Sequence, residues 1–167
     1  MVELLPLSDI EPQAVEDLLD AAFGADRFGR TAYRIRVGAE AVAALSFALV
    51  DDGVLIGTIQ CWPVAHRDAS GTATPLLMVG PVAVRPDLQR GGHGRVLMAH
   101  MLAAAESEAD GALMMIGDPE YYGRFFHFDA DATAAWDLPG PFERQRLLAR
   151  AINGHDLPTE AGMIGPR

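Results

Sequence analysis

The sequence predicts an α/β domain built on a mixed sheet. Three observations predict it: β-rich runs joined by a hairpin turn, a long helical stretch with an apolar face, and the order β-α-(α)-β-β-β-α-β-α-β-β in which elements follow one another. Half of the 167 residues are apolar, enough for a core of their own. No repeat, low-complexity tract or linker divides residues 1–167, so one domain is expected.

Val2–Leu7 reads as a short strand, and Pro6 confines its end to a sheet edge. Ser8 or Asp9 ahead of Glu11-Pro12 supplies a cap and an early proline, the marks of a helix start. Leu18, Leu19, Ala22 and Phe23 continue that helix along one side, and Gly24 closes it. Phe28–Arg36, polar and aromatic, reads as a short second helix. Ala41–Val50 and Val54–Val64 are predicted strands, joined by Asp51-Asp52-Gly53 in a hairpin. A polar turn, Asp68–Thr72, leads into the strand Leu76–Val84, which Gly80-Pro81 interrupts. Proline has no amide hydrogen and glycine invites a bulge, so the ladder breaks in mid-strand and frees backbone groups for another partner. Gly92–Ala109 is the clearest helix, with Val96, Leu97, His100, Met101, Ala104 and Ala105 on one face. Ala112–Ile116 reads as a buried strand. Asp118-Pro119 then opens a short helix, with Asp as cap and Pro at the first position. A Pro/Gly link at Leu138-Pro139-Gly140-Pro141 precedes a strand near Arg146–Ile152.

Composition narrows the chemistry. The formal charge is −10, which argues against nucleic acid or an anionic membrane as partner, because neutralising phosphates requires a basic surface. All thirteen basic residues are Arg. Without lysine there is neither a Walker-type phosphate loop nor a pyridoxal Schiff base. The acidic balance slightly favours a cationic amine as small-molecule partner. The single Cys61 forms no internal disulfide and reads as a small buried hydrophobe, as expected in a reducing cytoplasm. No apolar run is long enough to span a bilayer, and Met1–Pro6 lacks the basic start and cleavage site of a secretory signal. The histidines are scattered, with none paired at i, i+4, so no metal is expected.

The informative segment runs from Val79 to Arg95. A strand, Val82-Ala83-Val84, passes through a turn into Gln89-Arg90-Gly91-Gly92-His93-Gly94-Arg95, where glycines stand at the start of the long helix. The first amides of a helix have no internal acceptors, and its dipole is positive at that end. Glycines remove side chains that would hold a bulky anion off, and the combination makes a pyrophosphate cradle. A dinucleotide-binding turn fits less well. Its glycines would begin at the strand end, whereas Arg85–Arg90 intervene, and its third glycine is missing.

Val82-Ala83-Val84-x-Pro86-x-x-Gln89-x-x-Gly92-x-Gly94 resembles the acetyl-CoA signature of the GNAT superfamily of N-acetyltransferases. Gly117-Asp118-Pro119-Glu120-Tyr121-Tyr122-Gly123-Arg124-Phe125 and Trp136-Asp137-Leu138-Pro139-Gly140 resemble a bacterial subgroup of that superfamily. The resemblance in element order spans nearly the whole chain, and the motifs are sharp from Val79 to Gly140. It implies a GNAT-like fold whose bulged central strand splays away from its parallel neighbour, with acetyl-CoA as co-substrate in the gap. Val82, Ala83 and Val84 would then pair their backbone with the pantetheine arm, as an added strand does. An amide in that segment would polarise the thioester carbonyl. Arg90, Gly91, Gly92, His93, Gly94 and Arg95 would hold the pyrophosphate through backbone amides. Tyr122 would protonate the departing thiolate as general acid, a role that makes chemical sense for a phenol within hydrogen-bond reach. Tyr121 is its neighbour and substitute, and Tyr122 is preferred on family spacing.

The family pattern continues with Gly-Phe after the tyrosine helix, whereas Phe126-His127-Phe128 stands here, so the following turn is expected to differ. No base is named. Asp118 reads as a helix cap, and His66 and His127 as strand-end or loop histidines. The resemblance places the acceptor near Phe23–Arg36, Trp62–Arg67 and Phe128–Phe142, without choosing among peptide N-terminus, polyamine, aminoglycoside and amino acid. A homodimer is common among such domains. The same fold could instead hold acyl-CoA without turnover, as a regulatory domain that has no need of Tyr122.

Overall fold

The computed structural model describes Met1–Arg167. Its eight-stranded sheet follows the order β1-β2-β3-β4-β5-β7, with β8 on the far half of β3 and β6 beside β8. β1 (Val2–Pro6), β2 (Phe47–Asp51), β3 (Val54–Asp68) and β4 (Ala73–Val84) form an antiparallel meander. β5 (Ala112–Ile116) joins β4 in parallel, and β7 (Leu147–Arg150) pairs antiparallel with β5.

α1 (Pro12–Phe23) buries Val15, Leu18 and Leu19 against Ala83 on one side of the sheet. Its cap is Glu11, without a side-chain bond, because Ser8 and Asp9 lie in a separate 3-10 turn, Leu7–Asp9. Gly24 ends the helix at φ 93°, as expected. α2 is shorter than predicted, Thr31–Ile35, since Arg27–Gly29 forms its own 3-10 turn. The predicted strand Ala41–Val50 forms only from Phe47. Ahead of it Ala43–Leu45 coils into a 3-10 turn, and the Cys61 amide bonds the Ser46 hydroxyl at 3.2 Å in place of a strand carbonyl.

α3 (His93–Glu108) covers the other side of the sheet. Its buried stripe is Leu97, Met98, Met101, Leu102 and Ala105. The predicted face was rotated, since Val96 and His100 turn outward while Met98 and Leu102 turn in. The helix lies where Gly57 has no side chain: a Cβ there would stand 3.2 Å from Leu97 Cδ1. Burying Leu97 contributes roughly 1.5–3 kcal/mol. α4 (Pro119–Phe126) has the predicted Asp118 cap, whose carboxylate accepts the Glu120 amide at 3.0 Å. Two strands escaped prediction, β6 (Trp136–Asp137) and β8 (Gly162–Pro166). Gly-Met-Ile-Gly-Pro has neither alternation nor length, and pairing with β3 on one side and β6 on the other makes a strand of it.

The break in β4 positions the site. Ile59 faces Val82 and Cys61 faces Val79, so Gly80 and Pro81 together stand opposite Gln60. Gly80 has φ 132°, a conformation open to glycine. Pairing of β4 with β5 stops at Met78–Met114, so Val79–Val84 diverge from β5 with that edge unpaired. The parallel pairing begins beside Gly111, where a Cβ would lie 2.5 Å from the Pro75 carbonyl oxygen. Backbone cannot retreat as a flexible side chain would. Gly111→Ala is therefore expected to destabilise the fold by about 1–3 kcal/mol, read as a drop of roughly 3–10 °C in Tm. An unchanged Tm would show that the β4–β5 junction yields.

Candidate active site

A cavity of about 1070 Å³ opens where β4 and β5 part. One wall is the free edge of β4. The opposite wall is the C-terminal end of β5 with α4, the floor at one end is the glycine turn, and the other end is closed by α2 and the Pro139–Phe142 link. Thr31 donates to the Pro141 carbonyl at 2.6 Å and Arg34 to the Pro139 carbonyl at 3.3 Å, tying that link to α2.

The sequence-predicted cofactor residues converge here, in two ways. Val82 and Val84 point into the cavity, whereas the Ala83 side chain turns away and packs on α1. That alternation is the strand period, and it leaves Ala83 with a backbone role. In the turn, Pro86–Gly91 forms a 3-10 helix and Gly92 adopts the left-handed conformation, φ 77° and ψ 11°. α3 therefore starts at His93. The Val96 amide reaches the Gly92 carbonyl, which leaves the amides of His93, Gly94 and Arg95 without acceptors inside the helix. Gln89, Arg90, Gly92, Gly94 and Arg95 line the cavity. Gly91 and His93 do not. The imidazole folds back over Gly91, 3.0 Å from where its Cβ would be. Arg95 lies over the Phe125 ring at 4.1 Å, held beside the turn by a cation–π contact.

Tyr122 and Tyr121 both line the opposite wall, ring centroids 4.9 Å apart and edge to face. Tyr122 is laid against the backbone at the end of β5: a Cβ on Gly117 would fall 2.7 Å from its ring. Burial pushes its phenol up to about 12, with Tyr121 and Asp118 adding and Arg146 opposing. Tyr121 is shifted upward too, mainly by burial, with Arg95 opposing. Both are neutral donors at ordinary pH. After α4 the chain turns through His127 in the left-handed conformation, φ 61°, which is the altered turn foreseen at Phe126-His127-Phe128.

The acceptor segments hold up unevenly. Phe23, the Arg27–Arg36 segment, Pro141 and Phe142 face the cavity. Of Trp62–Arg67, Trp62 alone lies near it, with its indole donating to the Gly80 carbonyl at 2.7 Å. His66 is buried with Nε2 at 3.0 Å from the Glu160 carbonyl oxygen, and Phe128 is buried in the core. Cys61 is fully buried, and burial pushes its thiol far up, so it is no nucleophile.

The acidic balance of the whole chain does not extend into the cavity. Asp118, already engaged as a helix cap, is the one carboxylate in the wall, against seven arginines. Net charge describes the whole surface and not one cavity, and here the two have opposite sign. Arg146 is the site residue that sequence reasoning missed, while Arg27 and Arg36 lie in the predicted acceptor segment Phe23–Arg36 without having been singled out. Arg146 precedes β7, which sits next to β5, an adjacency that sequence spacing does not give.

No curated protein matches the chain. Among solved structures it is similar to a GNAT family N-acetyltransferase (YhbS) from Escherichia coli in complex with CoA, with TM-score 0.70 and 22% identity, covering 100% of this chain and 89% of that one. It is also similar to a GNAT family acetyltransferase from Brucella melitensis in complex with acetyl-CoA, with TM-score 0.59 and 24% identity, covering 90% of this chain and 96% of that one. These likenesses establish the fold. The sequence model of the acetyltransferase (GNAT) family matches residues 13–122, from α1 through the splayed strands to Tyr122. The chain belongs to the GNAT acetyltransferase family.

Proposed function

We propose that the protein transfers an acetyl group from acetyl-CoA to a primary amine by direct attack in a ternary complex. The observation that carries this reading is the divergence of β4 from β5. It opens a cavity with an unpaired strand edge on one side, a helix N-terminus at one end and a neutral tyrosine on the opposite wall. The two similar structures with CoA or acetyl-CoA bound support the choice of donor.

The residues fit acetyl-CoA, which when bound supplies the acyl group as an activated thioester. The free edge at Val82–Val84 offers backbone partners to the amides of the pantetheine arm. The first amides of α3, with Arg90 and Arg95, hold the diphosphate. A backbone amide of the same β4 segment stabilises charge on the carbonyl oxygen. Tyr122 gives a hydrogen bond, and then its proton, to the departing sulfur as the C–S bond breaks, and the proton lost by the acylated nitrogen restores the phenol. Asp118 is the one carboxylate in the wall, and its Oδ1 accepts the Glu120 amide at the start of α4. The arginines act through their field: positive neighbours disfavour an ammonium and lower its pKa, so the amine is presented neutral.

Calorimetric titration with acetyl-CoA, followed by thiol-release assays over a set of primary amines, tests the reading. Micromolar binding with amine-dependent thiol release is expected. Binding without release under any amine would leave a non-catalytic acyl-CoA-binding domain, and no binding by folded protein would remove both.

A further inference from the structure

The arginines of the cavity fall into two groups. Arg90 and Arg95 stand at the glycine turn, where a diphosphate would sit. Arg27, Arg30, Arg34 and Arg36 stand at the α2 end, beyond the bulge. Between them runs β4 from Val84 back to Met78, roughly 20 Å of extended strand at about 3.3 Å per residue. One diphosphate does not account for both groups. Carboxylates pair only with Arg27, Arg85 and Arg167, so Arg30, Arg34 and Arg36 lack them.

Two of the α2-end arginines have structural work. Arg30 donates to the Phe23 carbonyl at 2.8 Å, and Arg34 binds the Pro139 carbonyl. Arg36 does not fit that account. Its guanidinium lies 3.6 Å over the Trp62 ring and 4.2 Å from the Tyr33 ring, held flat by cation–π contacts, and burial pulls its pKa down. Beside it a second cavity of about 120 Å³ includes Arg27, Tyr33, Arg36, Gln60 and Trp62 in its lining, together with Glu16, whose carboxylate is paired with Arg27. Three of these bury polar atoms without partners: Arg27 Nε and Nη1, the Tyr33 hydroxyl and Gln60 Oε1. Arg27 is only 1% exposed. Its Nη2 is taken by Glu16 and Asp20, which leaves Nε and Nη1 as the vacant donors. Buried donors without partners are costly, and a planar guanidinium fork matches a carboxylate.

Resting on the acetyltransferase reading, we propose that the acceptor amine also carries a carboxylate, received at the α2 end by Arg36 with Arg27 and Tyr33 behind it. The place sets the size. Arg36 stacks on Trp62, and the Trp62 indole donates to the carbonyl of Gly80 at the bulge. The carboxylate thus lies one indole's breadth from the point where the strands part, a short reach that suits an amino acid or a close homologue.

The test uses pairs of amines that differ only in the carboxylate: phenylalanine, tyrosine and leucine against phenethylamine, tyramine and isoamylamine. Each is titrated into the acetyl-CoA-saturated Tyr122→Phe protein, and each is assayed with wild type for kcat/KM. At least a tenfold preference for the carboxylate-bearing member is expected. Arg36→Gln should erase it by raising KM for the carboxylate-bearing member of each pair towards that of its partner amine, and Arg36→Lys should restore part of it. Normal acetyl-CoA binding, which speaks to the donor site alone, combined with equal or better use of the decarboxylated amines overturns the proposal. So does a preference that survives in Arg36→Gln. Phosphoethanolamine used better than every carboxylate would overturn it in favour of a phosphate-bearing acceptor. Circular dichroism and acetyl-CoA affinity report whether each variant is folded.

Discussion

Gly92→Asp is expected to weaken acetyl-CoA binding by roughly 10²- to 10⁴-fold while leaving the protein folded. Gly92 lines the cavity at the start of α3, and a Cβ built on it meets nothing within 4 Å, so the new side chain enters open space. Its φ of 77° lies in the left-handed region, where Asp and Asn are the best tolerated side chains after glycine. A stability cost of about 1 kcal/mol is therefore expected, small against the effect on binding. The carboxylate would sit at the positive end of the helix and compete with the diphosphate for the same amides. Losing two charge-assisted bonds at roughly 1.5–3 kcal/mol each gives the stated range. Gly92→Asn has nearly the same shape and backbone strain but no charge. It should lose far less, and titration calorimetry on the pair separates the two causes. Equal, small losses in both variants would mean that the diphosphate does not sit at this turn.

The turn could be found in the sequence because its physics is local. Glycines after a strand and before an amphipathic run need no tertiary information to imply free amides beside a helix end. The bulge was legible for the same reason, since Gly80-Pro81 cannot continue a ladder whatever lies alongside. What the sequence withheld depends on contacts distant in the chain. β8 becomes a strand by pairing with β3 about a hundred residues earlier. The buried face of α3 is set by the gap at Gly57, and a helical period alone tolerated a rotation that put His100 inside. Arg36 is one arginine among thirteen until Trp62, on another element, supplies the ring beneath it. Local stereochemistry thus marked the turn and the bulge, and tertiary assembly alone brought Arg36 onto Trp62.

Tyr122→Phe should lower kcat by about 10²-fold, the lower end of what a general acid contributes, because a thiolate leaves more readily than an alkoxide. Acetyl-CoA affinity should stay within threefold, since the ring keeps its seat against Gly117 and only the hydroxyl is removed. A phenol at about 12 looks too weak an acid to protonate a thiolate. However, the burial that raises the phenol also raises a thiolate departing into the same cavity. The gap that counts is then close to that in water, about 10 against 8.5, or roughly 2 kcal/mol. The transfer is uphill by an amount that return of the acylated nitrogen's surplus proton to the phenolate offsets. The phenol is protonated below pH 12, so the wild-type rate should rise with pH as the amine deprotonates and show no loss from Tyr122 below about pH 10. Tyr121→Phe is the control, because that ring lines the same wall and its centroid lies 5.3 Å from that of Phe125. A larger kcat loss there than in Tyr122→Phe would move the acid to Tyr121. Loss in neither would leave the sulfur to depart unassisted, with catalysis resting on the β4 amides and the positioning of the amine.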